Sequence, residues 1–166
     1  MTLTGCGNDE NRKKKDHDSY DDLVKRDGLY YKKFSDVPFS GKITGLFEVS
    51  GEVIELDQGM IKDGMKEGAW FIRYSNGQLS FKGNYKNDKE EGAWIAYYWD
   101  GQVKAKGNYK NGKKEGAWIA YFSNGQLSFK GNYKNDKEEG TWVGYGLDGR
   151  VQKERTGTFK NGVKIR

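Results

Sequence analysis

From Trp70 onward, hydrophobic positions alternate with polar ones in short runs. Trp70, Ile72 and Tyr74 are followed by Leu79, Phe81, Gly83 and Tyr85, with Phe71, Arg73, Ser80, Lys82, Asn84 and Lys86 between them. A period of two is the signature of a strand with one buried face. Asn76-Gly77 and Asn87-Asp88 punctuate the runs, so the pattern predicts antiparallel hairpins. Asn76-Gly77 is expected at a two-residue type I′ tip, because both central residues of that turn need positive φ. Such a tip sets Tyr74 opposite Leu79, Ile72 opposite Phe81 and Trp70 opposite Gly83, all on one face. The other face, with its lysines and asparagines, reads as mostly solvated.

The pattern recurs every 24 residues. Gly68-Ala69-Trp70 returns as Gly92-Ala93-Trp94, Gly116-Ala117-Trp118 and Gly140-Thr141-Trp142, and Lys82-Gly83-Asn84-Tyr85 returns at Lys106 and Lys130. Each unit therefore holds two strands and two turns, and each predicts a tryptophan facing a glycine. A ring lying flat over bare backbone protects a position that would otherwise weaken its strand. Both ends depart from the spacing. Eight positions separate Gly51 from Gly59 and Gly149 from Gly157 where internal units use six, and end units of a repeat array are expected to differ. At the carboxyl end a straight two-residue turn would set Lys153 and Arg155 opposite Gly144 and Trp142, which predicts a bulge. Upstream, Asp27 to Tyr31 and Pro38 to Lys42 read as strand, turn and strand opening the sheet, preceded by at most one helical turn between Ser19 and Arg26.

The Gly-x-Trp…Tyr…(Asn/Asp)-Gly…Gly-x-Tyr-Lys-Asn-Gly pattern resembles the MORN repeat, in the bacterial variant found in proteins grouped as YwqK-family antitoxins, over about residues 27 to 166. Asp27-Gly28-Leu29-Tyr30-Tyr31 with Pro38-Phe39-Ser40-Gly41 is similar to the entry segment of that family. The resemblance implies an all-β protein, an elongated, twisted single antiparallel sheet of tandem hairpins, and says little about activity.

Composition supports order of this repetitive kind. Eleven Tyr, eight Phe and five Trp offset a charged fraction of 32%, and 24 glycines against one proline read as turn punctuation. The net charge of +5 comes from interspersed charges of both signs, which argues only weakly for an anionic partner. Leu3-Thr4-Gly5-Cys6 looks like a lipoprotein processing box with Cys6 as the lipid acceptor. The charged and apolar regions of such a signal are expected upstream of Met1. Residues 1–6 are thus read as the remnant of a signal. Residues 7–26, with Arg12, Lys13, Lys14 and Lys15, form a flexible polar tether, and residues 27–166 form the repeat domain with atypical capping hairpins at 27–58 and 141–166.

Catalysis requires a positioned nucleophile, base or metal cluster. The one histidine, His17, falls in the tether and the one cysteine in the processing box, so no enzymatic activity, metal or cofactor is expected. Glu67, Glu91, Glu115 and Glu139 recur before each repeat glycine and read as solvated turn carboxylates in preference to a cation row. Lys82, Lys86, Lys106, Lys110, Lys130 and Lys134 form rows, with Tyr97 and Tyr121 exposed for stacking, an arrangement that would suit a nucleic acid, but interleaved acids and the processing box count against it. Trp70, Trp94, Trp118 and Trp142, with Tyr97 and Tyr121, are the candidate binding residues, although packing explains the tryptophans more simply. Recognition of a protein partner leads, with a toxin as that partner in the antitoxin version and a membrane held through lipidated Cys6 in a bacterial envelope, periplasmic or outer-surface. The alternative is a surface lipoprotein that binds envelope glycan or anionic lipid.

Overall fold

The computed structural model describes residues 18–166. Cys6, His17 and the run Arg12 to Lys15 lie outside them. The long sheet is built from β1 (Asp18–Ser19), β4 (Gly41–Val49), β5 (Glu52–Lys62), β6 (Met65–Arg73), β7 (Leu79–Lys86), β8 (Lys89–Tyr97), β9 (Val103–Lys110), β10 (Lys113–Tyr121), β11 (Leu127–Lys134), β12 (Lys137–Gly144), β13 (Gly157–Lys160) and β14 (Val163–Lys164). From β4 onward the spatial order is the chain order and every pair is antiparallel, while β1 runs parallel to β4. The elongated all-β array of hairpins read from the sequence is the fold found. Twelve strands at about 4.8 Å each give a twisted ribbon roughly 50 Å long.

The two turn classes are exchanged relative to the sequence reading. Asn87-Asp88, Asn111-Gly112 and Asn135-Asp136 have positive φ at both residues, as do Asp63-Gly64 and Ser50-Gly51, so these are the type I′ tips. At Asn76-Gly77 only the glycine has positive φ. There the Gly77 N–H donates to Tyr74 O at 3.0 Å and the Tyr74 N–H to Gln78 O at 2.8 Å, which is a type I turn closed by a bulge glycine. The bulge shifts the register by one. Trp70–Gly83 and Ile72–Phe81 pair as expected, but Leu79 faces Arg73 and not Tyr74. Val103 likewise faces Tyr97 and Leu127 faces Tyr121. The freed tyrosines bridge neighbouring units instead, with Tyr74 Oη donating to Tyr97 O and Tyr98 Oη to Tyr121 O, both at 2.8 Å.

A second bulge organises the face that carries the tryptophans. Between the pairs Lys82–Ile95 and Asn84–Glu91, the single residue Gly83 confronts Gly92, Ala93 and Trp94. Gly107 and Gly131 confront the corresponding triplets ending in Trp118 and Trp142. Gly92, Gly116 and Gly140 take φ near +75°, a conformation that costs glycine nothing. The indole does not lie on the glycine it pairs with in register. Trp94 pairs with Gly107 but covers Gly83, and Trp118 pairs with Gly131 but covers Gly107. The rings of Trp94, Trp118 and Trp142 therefore lie over the preceding strand, where Nε1 donates to the carbonyl after the covered glycine, that of Asn84, Asn108 and Asn132 in turn, at 3.3, 3.1 and 2.9 Å. Tyr85, Tyr109 and Tyr133 stand edge-on between the indoles and complete an aromatic ladder.

The fold begins before Asp27. A 3-10 turn at Tyr20–Asp22 leads into β2 (Leu23–Arg26), which pairs with β3 (Leu29–Lys32) around the type I′ tip Asp27-Gly28 in a separate two-stranded sheet. The segment from Asp27 to Tyr31 therefore caps the long sheet and does not open it. Leu23, Phe39, Ile43, Ile61 and Trp70 form the core cluster, with Tyr20 and Tyr30 packed against it. Trp70 is fully buried under this cap, which stands where a preceding unit would be. At the other end a 3-10 turn, Lys153–Arg155, absorbs the two extra residues. Trp142 thereby pairs with Gly157, and the aromatic face continues to Phe159.

Candidate functional site: a groove along the second face

The face opposite the tryptophans carries a groove. Strand register aligns Phe71, Lys82, Ile95, Lys106, Ile119, Lys130 and Val143 in one stripe across consecutive strands. Two residues along each strand, Ala69 pairs with Asn84, Ala93 with Asn108 and Ala117 with Asn132, and Thr141 continues this second stripe. Between the stripes runs a cleft of 710 Å³ from Ala93 to Val143. A 210 Å³ cleft shares Ala93 and Ile95 with it, and a 380 Å³ cleft beside Met60 shares Ala69 and Phe71 with the second. Small alanines opposite the bulge glycines leave the floor low, while Phe71, Ile95, Ile119 and Val143 make it apolar. The face read as solvated thus holds a preformed surface. Its signal in the sequence was the regular recurrence of Phe71, Ile95 and Ile119 among the lysines and asparagines.

The polar groups of the groove are uncommitted. The ion pairs of the described residues lie elsewhere and include none of Lys82, Lys106 and Lys130. Asn84, Asn108 and Asn132 lend only backbone carbonyls to the indoles behind them, and their exposed carboxamides make no hydrogen bond among the described residues. The glutamates on the far rim are committed. Glu67, Glu91, Glu115 and Glu139 accept hydrogen bonds from the backbone N–H groups of Asn87, Asn111, Asn135 and Asn161 in the next tip, at 2.8–3.0 Å. Their recurrence is turn chemistry, and among the described residues no cluster of three or more metal-ligating side chains forms.

The residues singled out from the sequence divide between the two faces. Trp70, Trp118 and Trp142 are buried at 0%, 8% and 3% exposure, and Trp94 is half-buried. All four belong to the ladder. Tyr97 and Tyr121 lie half-buried at the bulged tips, where Tyr121 and Lys106 line a small side cleft. Two lysines missed at first reading belong to the ladder face. Lys66 Nζ sits 4.7 Å from the Trp70 ring, 5.0 Å from Tyr85 and 5.5 Å from Tyr20, and Lys114 lies 4.9 Å from both Trp118 and Tyr133. The rings favour the cation, whereas burial first, and then Lys25, pull the Lys66 pKa down.

Burial acts on the ladder tyrosines in the opposite sense. Tyr85 is pushed up to about 12, chiefly by desolvation and then by Glu90 and Asp88, and Tyr20, Tyr109 and Tyr133 are raised for the same leading reason. A phenol whose folded pKa exceeds its unfolded value contributes stability that is complete below about pH 10 and is lost as pH rises through the folded value. Lys66, shifted down, works against this, but it is one group against four. Stability by urea titration is expected to hold up to about pH 9.5 and to fall between about pH 10 and 12. Equal stability at pH 9 and pH 11.5 would refute the assignment of these rings to a desolvated ladder.

Strands in chain order, a 24-residue hairpin unit and an uninterrupted aromatic spine define a tandem β-hairpin repeat protein. The family model described as MORN repeat variant matches residues 66–87, 90–111 and 114–135, so the three central units are similar to that repeat. No curated protein matches the chain. MORN repeats commonly serve in binding, and the family is generally non-enzymatic.

Proposed function

We infer that the protein is a non-catalytic recognition module whose ligand is another protein, seated in the groove of the second face. The supporting observation is that the groove is preformed, runs the length of the repeats and keeps Lys82, Lys106, Lys130 and three asparagine carboxamides without partners among the described residues. Packing has no use for such groups, and a rigid sheet pays little ordering entropy when it binds. The ladder face is already consumed by its own aromatic contacts, which supports recognition on the opposite side.

An immunity role fits this reading, with a toxin as the bound protein. The processing box adds an anchor, with Cys6 lipidated and the groove displayed at the surface of a bacterial envelope. A glycan or anionic-lipid ligand is the alternative, and it would use the exposed lysine pairs at the type I′ tips, such as Lys110–Lys113. The test compares full-length protein with Ile119→Lys and Lys106→Glu/Lys130→Glu variants in affinity capture from envelope extract. The reading expects a stoichiometric protein that is lost with either variant, while circular dichroism stays unchanged. Retention on purified glycan or anionic vesicles, undiminished by either variant, would replace the protein ligand with the envelope itself. Lipidation is tested by fatty-acid labelling in cells: label should follow Cys6 and vanish in Cys6→Ser.

A further inference from the structure

We propose that the groove binds an extended acidic peptide running along the array, perpendicular to the strands, with one carboxylate at every third residue. The inference rests on the protein-recognition reading above and names the chemistry of its ligand.

The argument is one of spacing. The lysine stripe advances by two strands per repeat, from Lys82 to Lys106 to Lys130. Two strand spacings come to about 9.6 Å. Three residues of a polyproline II helix rise about 9.3 Å and bring the side chain back to the same side, so every third side chain of such a peptide meets a lysine. A strand-like peptide matches less well, because its side chains return to one side every two residues, or about 6.8 Å. Single-stranded nucleic acid offers phosphates without a three-residue period and needs successive stacking rings, whereas this stripe has one ring, Phe71, at its end, with Ile95 and Ile119 between the lysines and Val143 after the last of them. These aliphatic residues suit the apolar body of an extended chain.

The second stripe deals with the peptide backbone. A polyproline II segment leaves its backbone polar groups unsatisfied, and a carboxamide both donates and accepts. Asn84, Asn108 and Asn132 stand two residues along the strands from Lys82, Lys106 and Lys130, so one asparagine and one lysine are available per three residues of ligand. Acidic side chains are directed to the lysine wall, because the opposite rim carries Glu91, Glu115 and Glu139 and like charges repel across a groove.

The probe is a labelled 15-residue peptide, five repeats of Glu-Pro-Pro, titrated by fluorescence anisotropy against the full chain. The control has the same composition with its five glutamates contiguous. At low salt the periodic peptide is expected to bind at least 10-fold more tightly than the clustered one. Lys106→Gln/Lys130→Gln should abolish that preference, and Asn108→Ala/Asn132→Ala should weaken the periodic peptide several-fold while thermal melting is unchanged. Equal affinity for the two peptides, or tighter binding of a single-stranded oligonucleotide of equal charge, would overturn the proposal. Those results leave the broader reading standing if the captured protein is still lost with Ile119→Lys. If that capture also survives the variant, both fall.

Discussion

Trp118→Ala is expected to destabilise the protein by about 3–5 kcal/mol, the range for removing a large aromatic side chain from a packed site. The ring is buried, lies edge-on to Tyr109 and Tyr133, covers Gly107, donates Nε1–H to Asn108 O and supports the Lys114 ammonium. Gly107→Ala approaches the same contact from the other side, because a Cβ there would overlap the indole; about 1–3 kcal/mol is expected for such overpacking. Combined, the two changes should cost clearly less than their sum, since the added methyl enters space the ring has vacated. Urea unfolding of the four proteins in a double-mutant cycle checks this. Simple additivity, or a loss below 1 kcal/mol for Trp118→Ala, would mean that the ring does not depend on the preceding strand.

Removing residues 92–115 is expected to leave a folded, shorter protein, whereas removing residues 92–103 should leave none. The first deletion joins Glu91 to Gly116 and recreates every local relation. Trp118 then covers Gly83, the Asn135 N–H finds Glu91 in place of Glu115, and Tyr74 Oη finds Tyr121 O in place of Tyr97 O. Two of twelve strands are lost, so the urea m-value should fall by about a sixth, in proportion to the surface exposed on unfolding. The twelve-residue deletion removes Trp94 and a bulged tip, and so exchanges the two classes of turn edge for all that follows. A cooperative transition in the half-unit deletion, or its absence in the whole-unit deletion, would contradict an array in which each unit touches only its neighbours.

Much of this architecture could be read from the chain because it is local. Alternation fixed the strands, and the 24-residue interval fixed their order, since Trp70–Gly83 and its equivalents leave no other antiparallel register. The tips were harder to read. Asn-Gly is compatible with both a type I′ turn and a type I turn with a bulge glycine, and the choice depends on whether the asparagine itself, Asn76, takes positive φ. The placement of each indole over the preceding glycine was not legible either, because it arises from a three-against-one bulge that alternation does not encode. Residues 18–26 looked like tether because they are short and polar. Only the assembled fold shows that Tyr20 and Leu23 cover Trp70. The groove was hidden for a related reason: lysine, asparagine and alanine on one face signal solvent until the register aligns them in stripes.

The offset between pairing and covering gives the array a direction. Gly59 precedes Trp70, Gly83 precedes Trp94, Gly107 precedes Trp118 and Gly131 precedes Trp142, so each bare patch of backbone is synthesised before the ring that closes it. A chain leaving the ribosome amino end first never exposes an indole that must wait for its seat. At Gly157, the next glycine in the series, a Cβ would overlap the backbone of Arg166 and the side chain of Lys164, so those two residues lie on the seat that the indole of a further unit would take.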